Sequence, residues 1–266
     1  MDIRSFLFEP LETISFVAEI SATENGILAG TELTRNRTSE LQMTLDFLAQ
    51  EGTPLNPGDL VLRIIGSAED IARAEEELLA CVGKSSGVAT AAQRFLAQVD
   101  GRAHIVCGAW KKIAPELRTH LRKAIAVGGA GIRLLDEPFV YLDKNYVRMF
   151  GSVRRAVERA RGLDGRVVAV QVRGDTNLIA EEACQALNAG AGAIMVDTGN
   201  IDDLRIVADV VDRKGFRNKV KIAFAGGVNL CSIDDVVAAG AEIIEVGREI
   251  IDAPILDFRL DVIGKA

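Results

Sequence analysis

From His104 onward the sequence alternates short apolar strands with helical stretches, and few folds accept such a pattern. Val167-Val168-Ala169-Val170 and Ala193-Ile194-Met195-Val196 are continuously apolar, as strands become when both faces of their sheet are covered. The spacing predicts strands at 104–108, 131–135, 139–142, 167–172, 192–196, 220–224 and 242–246. Helices are predicted at 115–126, 147–161, 177–189, 201–213 and 231–239. Repeated strand–helix units with parallel crossovers give either a barrel or an open sheet. Asn188-Ala189-Gly190-Ala191-Gly192 and Ala238-Ala239-Gly240-Ala241-Glu242 each end a helix and start a strand, with the glycine closing the helix in a left-handed conformation.

The first hundred residues read differently. Val17–Ala22 alternates at period two, Asn25-Gly26 has hairpin-turn chemistry, and Ile27–Gly30 reads as the returning strand. Leu41, Leu45 and Leu48, with Met43, predict an amphipathic helix over Thr38–Gln50. Pro57-Gly58-Asp59 turns into a strand over Leu60–Gly66, and two helices follow at 68–82 and 88–99. This is an α+β module with a helical connector.

Charge narrows the partners. There are 31 Lys and Arg against 38 Asp and Glu, a net charge of −7, and no basic block stands out, which argues against nucleic acid. A small anionic ligand needs only a few placed cations. No apolar run reaches the roughly 18–20 residues that span a bilayer. Met1-Asp2-Ile3-Arg4 lacks a signal-peptide core, so the expected location is cytoplasmic. Cys81, Cys107, Cys184 and Cys231 have no metal-ligand spacing and read as buried reduced thiols.

In a strand–helix barrel a ligand sits where strands end and their loops begin. Those ends carry Trp110-Lys111-Lys112, Arg133, Asp143-Lys144-Asn145, Gln171-Val172-Arg173, Asp197-Thr198, Ala225-Gly226-Gly227 and Glu245-Val246-Gly247-Arg248. Gly226, Gly227 and Gly247 let backbone N–H groups approach a phosphate closely, although the same glycines also suit tight turns. Lys111 and Lys112 point opposite ways along an extended chain, so at most one faces the mouth. Asp197 suits ribose hydroxyls or a Mg²⁺ ion held through water, while Asn200 is better placed to cap the helix from Ile201. His104 and His120 read as structural or solvated.

These residues resemble the quinolinate phosphoribosyltransferase family, the carboxylating nicotinate-nucleotide pyrophosphorylases. The resemblance rests on Ile20–Gly30, Ser86-Gly87-Val88-Ala89-Thr90, Ala189-Gly190-Ala191 with Ile194–Asp197, Phe224–Val228 with Val246-Gly247, and Ala253-Pro254-Ile255-Leu256-Asp257. It runs nearly the whole chain in order. It implies an α/β protein with an N-terminal α/β sandwich over 1–103, joined by the tail 253–266, and an α/β barrel over 104–252. A homodimer is implied, with one subunit's N-terminal domain completing its partner's site. Phosphoribosyl pyrophosphate with Mg²⁺ is the implied donor, and a pyridine nitrogen the acceptor, with decarboxylation to nicotinate mononucleotide following.

Several family positions differ. Arg-Lys-Thr-Thr-Pro becomes Lys111-Lys112-Ile113-Ala114-Pro115, and Asn-His-Arg becomes Gly131-Ile132-Arg133. Ile-Lys-Asp-Asn-His becomes Leu142-Asp143-Lys144-Asn145-Tyr146; the ribose-side Glu aligns near Gln171, and Asp197 matches. The Glu-Arg-Thr that reaches the partner's site aligns with Glu75-Glu76-Glu77. The implied catalytic residues are Lys112, Lys144 and Asp197, the last also the candidate Mg²⁺ ligand. Lys111, Arg133, Asp143, Gln171, Gly226, Gly227, Glu245, Gly247 and Arg248 are the candidate substrate contacts.

Three functions remain open at this point. One is phosphoribosyl transfer to quinolinate or another small heterocycle, with weak quinolinate turnover expected from the changes at Ile132 and Glu76. Another is a lyase or decarboxylase on a phosphorylated sugar acid, with Lys112 or Lys144 as base or Schiff-base amine. The third is a noncatalytic metabolite-binding protein that keeps the phosphate pocket.

Overall fold

The computed structural model describes residues 3–266. Its strands are β1 (Ser15–Ala22), β2 (Gly26–Ile27), β3 (Thr44–Leu48), β4 (Pro54–Leu55), β5 (Leu60–Ser67), β6 (His104–Val106), β7 (Phe139–Leu142), β8 (Val167–Val172), β9 (Ala193–Val196), β10 (Lys221–Phe224), β11 (Ile243–Glu245) and β12 (Phe258–Lys265). Its α-helices are α1 (Ile3–Phe8), α2 (Thr31–Glu40), α3 (Ala68–Val99), α4 (Arg118–Val127), α5 (Lys144–Phe150), α6 (Val153–Ala160), α7 (Ile179–Ala189), α8 (Ile201–Arg213), α9 (Ile233–Ala238) and α10 (Arg248–Ile251). The chain divides into two compact units. The first holds residues up to Arg94, Trp110–Gly129 and Ile250–Ala266; the second holds Phe95–Ala109 and Ala130–Glu249. No helix among the described residues is long and apolar enough to cross a membrane.

The first unit is built on an antiparallel sheet of order β12-β1-β5-β3. Ala18, Ile20 and Ala22 of β1 and Val61, Leu62 and Ile64 of β5 are buried against Ile71, Ala74, Leu78 and Val82. Those four recur at helical spacing along one face of α3. Three expectations fail here. Asn25-Gly26 does not fold β1 back on its successor: β1 pairs with β12 and β5, and Gly26–Ile27 pairs with Pro54–Leu55. Gly26 serves close packing, since a Cβ there would lie 2.7 Å from Leu256 Cδ2 and Thr90 Oγ1. The helix expected over Thr38–Gln50 is instead the end of α2, a left-handed Gln42 (φ 58°) and the strand β3. A bulge between Leu45 and Phe47 brings Leu45 and Leu48 onto one strand face, both packed against the core.

The predicted break between 82 and 88 is absent, because Gly83 and Gly87 give the C-terminal segment room to cross α3. A Cβ on Gly87 would lie 2.0 Å from the Pro254 carbonyl oxygen, and Leu256 N–H donates to Gly83 O at 3.1 Å. The hydroxyls of Ser86 and Thr90 accept from Ala29 and Ile27 N–H at 3.0 and 2.9 Å, which accounts for the Ser-x-x-x-Thr spacing.

The second unit is a parallel half-barrel of six strands in the order β6-β11-β10-β9-β8-β7, flanked by helices, so the expected α/β barrel architecture is present. Segment 131–135 is not a strand: it adds only one bridge, Val106 to Gly131. The helix expected at 147–161 is two, α5 and α6, separated by a left-handed Gly151 (φ 77°) and capped anew by Ser152. Asn200 caps α8 as expected. Cys81 and Cys107 are buried reduced thiols, whereas Cys184 is half-buried and Cys231 exposed.

Candidate active site at the strand ends

Successive residues of a strand alternate between the two sheet faces. Ala169, Ala193, Met195, Ala223 and Ile243 pack together in one interior cluster of the second unit, with Val167, Phe139 and Tyr141 against it. Counting on by twos puts Tyr141, Gln171, Arg173, Asp197 and Glu245 on the same interior side, at the carboxyl ends of β7, β8, β9 and β11. The interior row changes there from aliphatic to polar.

Contacts link these groups. Gln171, only 4% exposed, accepts Lys144 N–H on Oε1 at 2.6 Å and donates through Nε2 to Asp197 Oδ2. Arg173 donates through Nη1 to the Asp197 carbonyl, and the same nitrogen lies 3.3 Å from Asp197 Oδ2. Gly108 gives Glu245 room, since a Cβ there would lie 3.1 Å from Glu245 Oε1. Burial first, then the carboxylates of Glu245, Asp197 and Asp143, push the Tyr141 phenol well above its ordinary range. Tyr141 therefore keeps its proton and has an O–H to donate to a ligand. Neither Tyr141 nor Arg173 was among the sequence candidates. Counting by twos from Ala169 and Phe139 was the signal available for both.

The glycine turns divide by role. Gly226 (φ 113°) would place a Cβ 2.5 Å from Gly199 N, so that glycine lets two backbones cross. Gly227 (φ 81°) would meet nothing within 4 Å and borders open space. Gly247 accepts a weak bond from Cys107 Sγ at 3.9 Å, and Arg248, the next residue, is exposed at the start of α10. Asp143 caps α5, taking Asn145 and Tyr146 N–H at 2.7 and 3.2 Å. Lys144 is exposed, and the exposed Arg133 lies over the Phe139 ring at 5.4 Å.

Lys111 and Lys112 belong to the first unit. They lie at the end of a 3₁₀ turn, Ala109–Lys112, and not on an extended chain. About three residues make a turn there, so the two side chains diverge by roughly a third of a circle. Arg118 donates to the carbonyls of Ile113 and Lys111 at 2.8 and 2.9 Å and fixes the turn; both lysines are exposed. Of the acidic triplet in α3, Glu76 pairs with Arg4 at 2.5 Å and Glu77 with Arg37. Those charges answer arginines of their own unit.

Among the described residues no three His, Cys, Asp or Glu side chains gather as a metal cage. The interior oxygen ligands of the kind Mg²⁺ takes are the separate carboxylates of Asp197 and Glu245.

Residues 4–86 match the family model of the quinolinate phosphoribosyl transferase N-terminal domain, and residues 88–261 match that of its C-terminal domain. The chain belongs to the quinolinate phosphoribosyl transferase family. A carboxylating nicotinate-nucleotide pyrophosphorylase of Rattus norvegicus is 30% identical over 246 residues, 91% of this chain and 80% of its own. A probable carboxylating nicotinate-nucleotide pyrophosphorylase of Methanothermobacter thermautotrophicus is 26% identical over 250 residues, 93% of this chain and 88% of its own. The structure of the nicotinate-nucleotide pyrophosphorylase from Francisella tularensis superposes with a TM-score of 0.79 at 23% identity, covering 98% of this chain and 94% of that one. This last likeness concerns the fold. Family membership makes the polar ends of β7, β8, β9 and β11 the place to look for chemistry.

Proposed function

We propose that this protein transfers the phosphoribosyl group of phosphoribosyl pyrophosphate to the ring nitrogen of a small aromatic acid, with quinolinate the first acceptor to test. The observation that carries the reading is the match of both family domains, in order, over residues 4–86 and 88–261. The relatives' names point to the same acceptor. The pyrophosphorylase names of the relatives given above favour transfer over the lyase and noncatalytic readings. The lyase reading also needs a desolvated amine, and Lys112 and Lys144 are exposed.

In the transfer, the ring nitrogen's lone pair bonds to ribose C1 as the C1–O bond to pyrophosphate breaks. Positive charge grows on that carbon, and carboxylates placed beforehand beside it lower the barrier. Asp197 and Glu245 are the interior carboxylates at the strand ends. Gln171 holds Asp197 in place and adds no charge of its own. The open backbone at Gly227, with Gly247, would receive a phosphate. Mg²⁺ entering with the pyrophosphate would take Asp197 or Glu245 and offset phosphate charge. Arg133, Lys144 and Arg248 are the cations the second unit offers to phosphates and to the acceptor's carboxylates, and Asp143 supports Lys144 by starting its helix. The working assembly is a homodimer.

Pyrophosphate release from phosphoribosyl pyrophosphate, with and without quinolinate, tests the reading. Release that depends on the acceptor supports it. Release with other pyridine carboxylates and none with quinolinate would move the acceptor.

A further inference from the structure

Arg173 stands at the carboxyl end of β8 with most of its hydrogen-bonding capacity unused. A guanidinium carries five N–H donors. The bonds Arg173 makes through its guanidinium run through Nη1, to the carbonyl and carboxylate of Asp197. Nε is shielded from water and has no partner. Nε and Nη2 form the planar edge that matches two oxygens of a carboxylate or phosphate. The side chain is 31% exposed overall while Nε itself is covered, so an anion engages this edge when the covering groups move aside. A residue that served only to neutralise Asp197 would not need to leave this edge free.

The loop behind Arg173 is fastened in advance. Glu182 of α7 is 1% exposed, and its partners are all N–H and O–H donors of one loop. Oε2 accepts from Arg173 N and Gly174 N, both at 2.9 Å. Oε1 accepts from Thr176 N and Oγ1 at 2.8 Å and from Asn177 N at 3.4 Å. A buried carboxylate satisfied this way fixes the backbone from which Arg173 projects, so little freedom is left to lose on binding.

We propose that Arg173 is an oxyanion-binding residue of this site, taking a carboxylate or phosphate group of the ligand on its Nε–Nη2 edge, with Glu182 as its positioning residue. The identity of that ligand rests on the phosphoribosyl-transfer reading; the anion-binding edge itself does not. Two sources share the chemistry: a phosphate of the donor and a carboxylate of the acceptor.

Titration calorimetry on the full chain separates them, with inorganic pyrophosphate as one probe and quinolinate as the other. Arg173→Met should weaken one probe by roughly 10- to 150-fold and leave the other within about twofold, and the probe that weakens names the source. Arg173→Lys keeps the charge beside Asp197 but loses the fork, and should fall between wild type and Arg173→Met. It decides the matter if Arg173→Met fails to fold. Glu182→Gln should weaken the same probe as Arg173→Met. A Glu182 that served stability alone would lower the melting temperature and leave affinity per folded molecule unchanged. Unchanged affinity for both probes in a folded Arg173 variant, or a wild type that binds neither anion, overturns the assignment. A wild type that binds pyrophosphate through Arg173 yet releases none from phosphoribosyl pyrophosphate would defeat the transfer reading and leave Arg173 standing.

Discussion

The two units each use a carboxylate to hold backbone N–H groups, and they use it to different ends. In the first, Glu51 accepts Gly30 and Thr31 N–H at 2.9 and 2.8 Å, together with the Thr31 hydroxyl, and starts α2. In the second, Glu182 does the same for the loop after β8, and that loop carries a cation toward the interior. The sheets differ in the same sense. The buried positions of β1 and β5 are apolar, and their charges, such as Arg63 with Glu19 at 2.6 Å, stay on the solvent side. Of the parallel strands, β7, β8, β9 and β11 run apolar until their last interior residue and then turn polar. Folding alone has no use for that last layer, and it is where a ligand is expected.

The comparison breaks most visibly at the glycines. Gly226→Val and, in the first unit, Gly30→Val (whose Cβ would lie 2.3 Å from Cys81 O) should each cost at least about 3 kcal/mol or prevent folding, read by urea denaturation. Gly227→Ala should cost only about 1–2 kcal/mol, from its left-handed backbone, because its Cβ meets open space. Core truncation should not distinguish the units. Ile64→Ala and Met195→Ala should each destabilise by about 2–5 kcal/mol and leave ligand affinity per folded molecule intact.

Tyr141→Phe sharpens the contrast from the other side. Stability should move by no more than about 1 kcal/mol, while turnover or affinity falls by about tenfold at every pH up to 10. A loss confined to stability would return Tyr141 to the core. The first unit offers an alkaline effect instead. Burial pushes the Cys81 thiol up to about 11 from an ordinary 9.0, so the unfolded chain loses this proton before the folded one. The resulting stability is present below pH 9 and declines between about 9 and 11 as pH rises. Cys81→Ala should flatten that limb of the stability–pH curve. The half-buried pair Arg63–Glu19 is worth no more than about 1 kcal/mol, and Arg63→Gln should show it.

The second unit was easier to read in sequence because continuous apolar runs such as Val167–Val170 and glycines such as Gly190 have few alternative uses. In the first, α2 escaped notice because its buried face is made of Thr34 and Thr38, whose hydroxyls donate to the carbonyls of Gly30 and Thr34 at 3.0 and 2.8 Å. Polar residues that satisfy themselves inside a helix leave no hydrophobic period to detect. The partnership of β1 with β12 joins residues about 240 positions apart, and no local pattern carries it; the likeness of 253–257 to a family motif pointed there. At the site, Asp197 and Glu245 were visible as charges ending apolar strands. Arg173 was seen at its strand end but left out of the candidates, since its value depends on which face β8 turns inward. Glu182 was hidden because a second glutamate beside Glu181 on a helix looks solvated until the loop above it is in place.

Phosphoribosyl transfer is proposed at the polar strand ends of the second unit. Pyrophosphate released from phosphoribosyl pyrophosphate on adding quinolinate, measured in the intact chain and in Asp197→Ala, decides it. Acceptor-dependent release is expected from the intact chain, with a drop of roughly 100-fold or more in a folded Asp197→Ala, the scale of losing a placed electrostatic contact in a transition state. Release that persists undiminished in Asp197→Ala, or no release with any pyridine carboxylate by an intact protein, would contradict it.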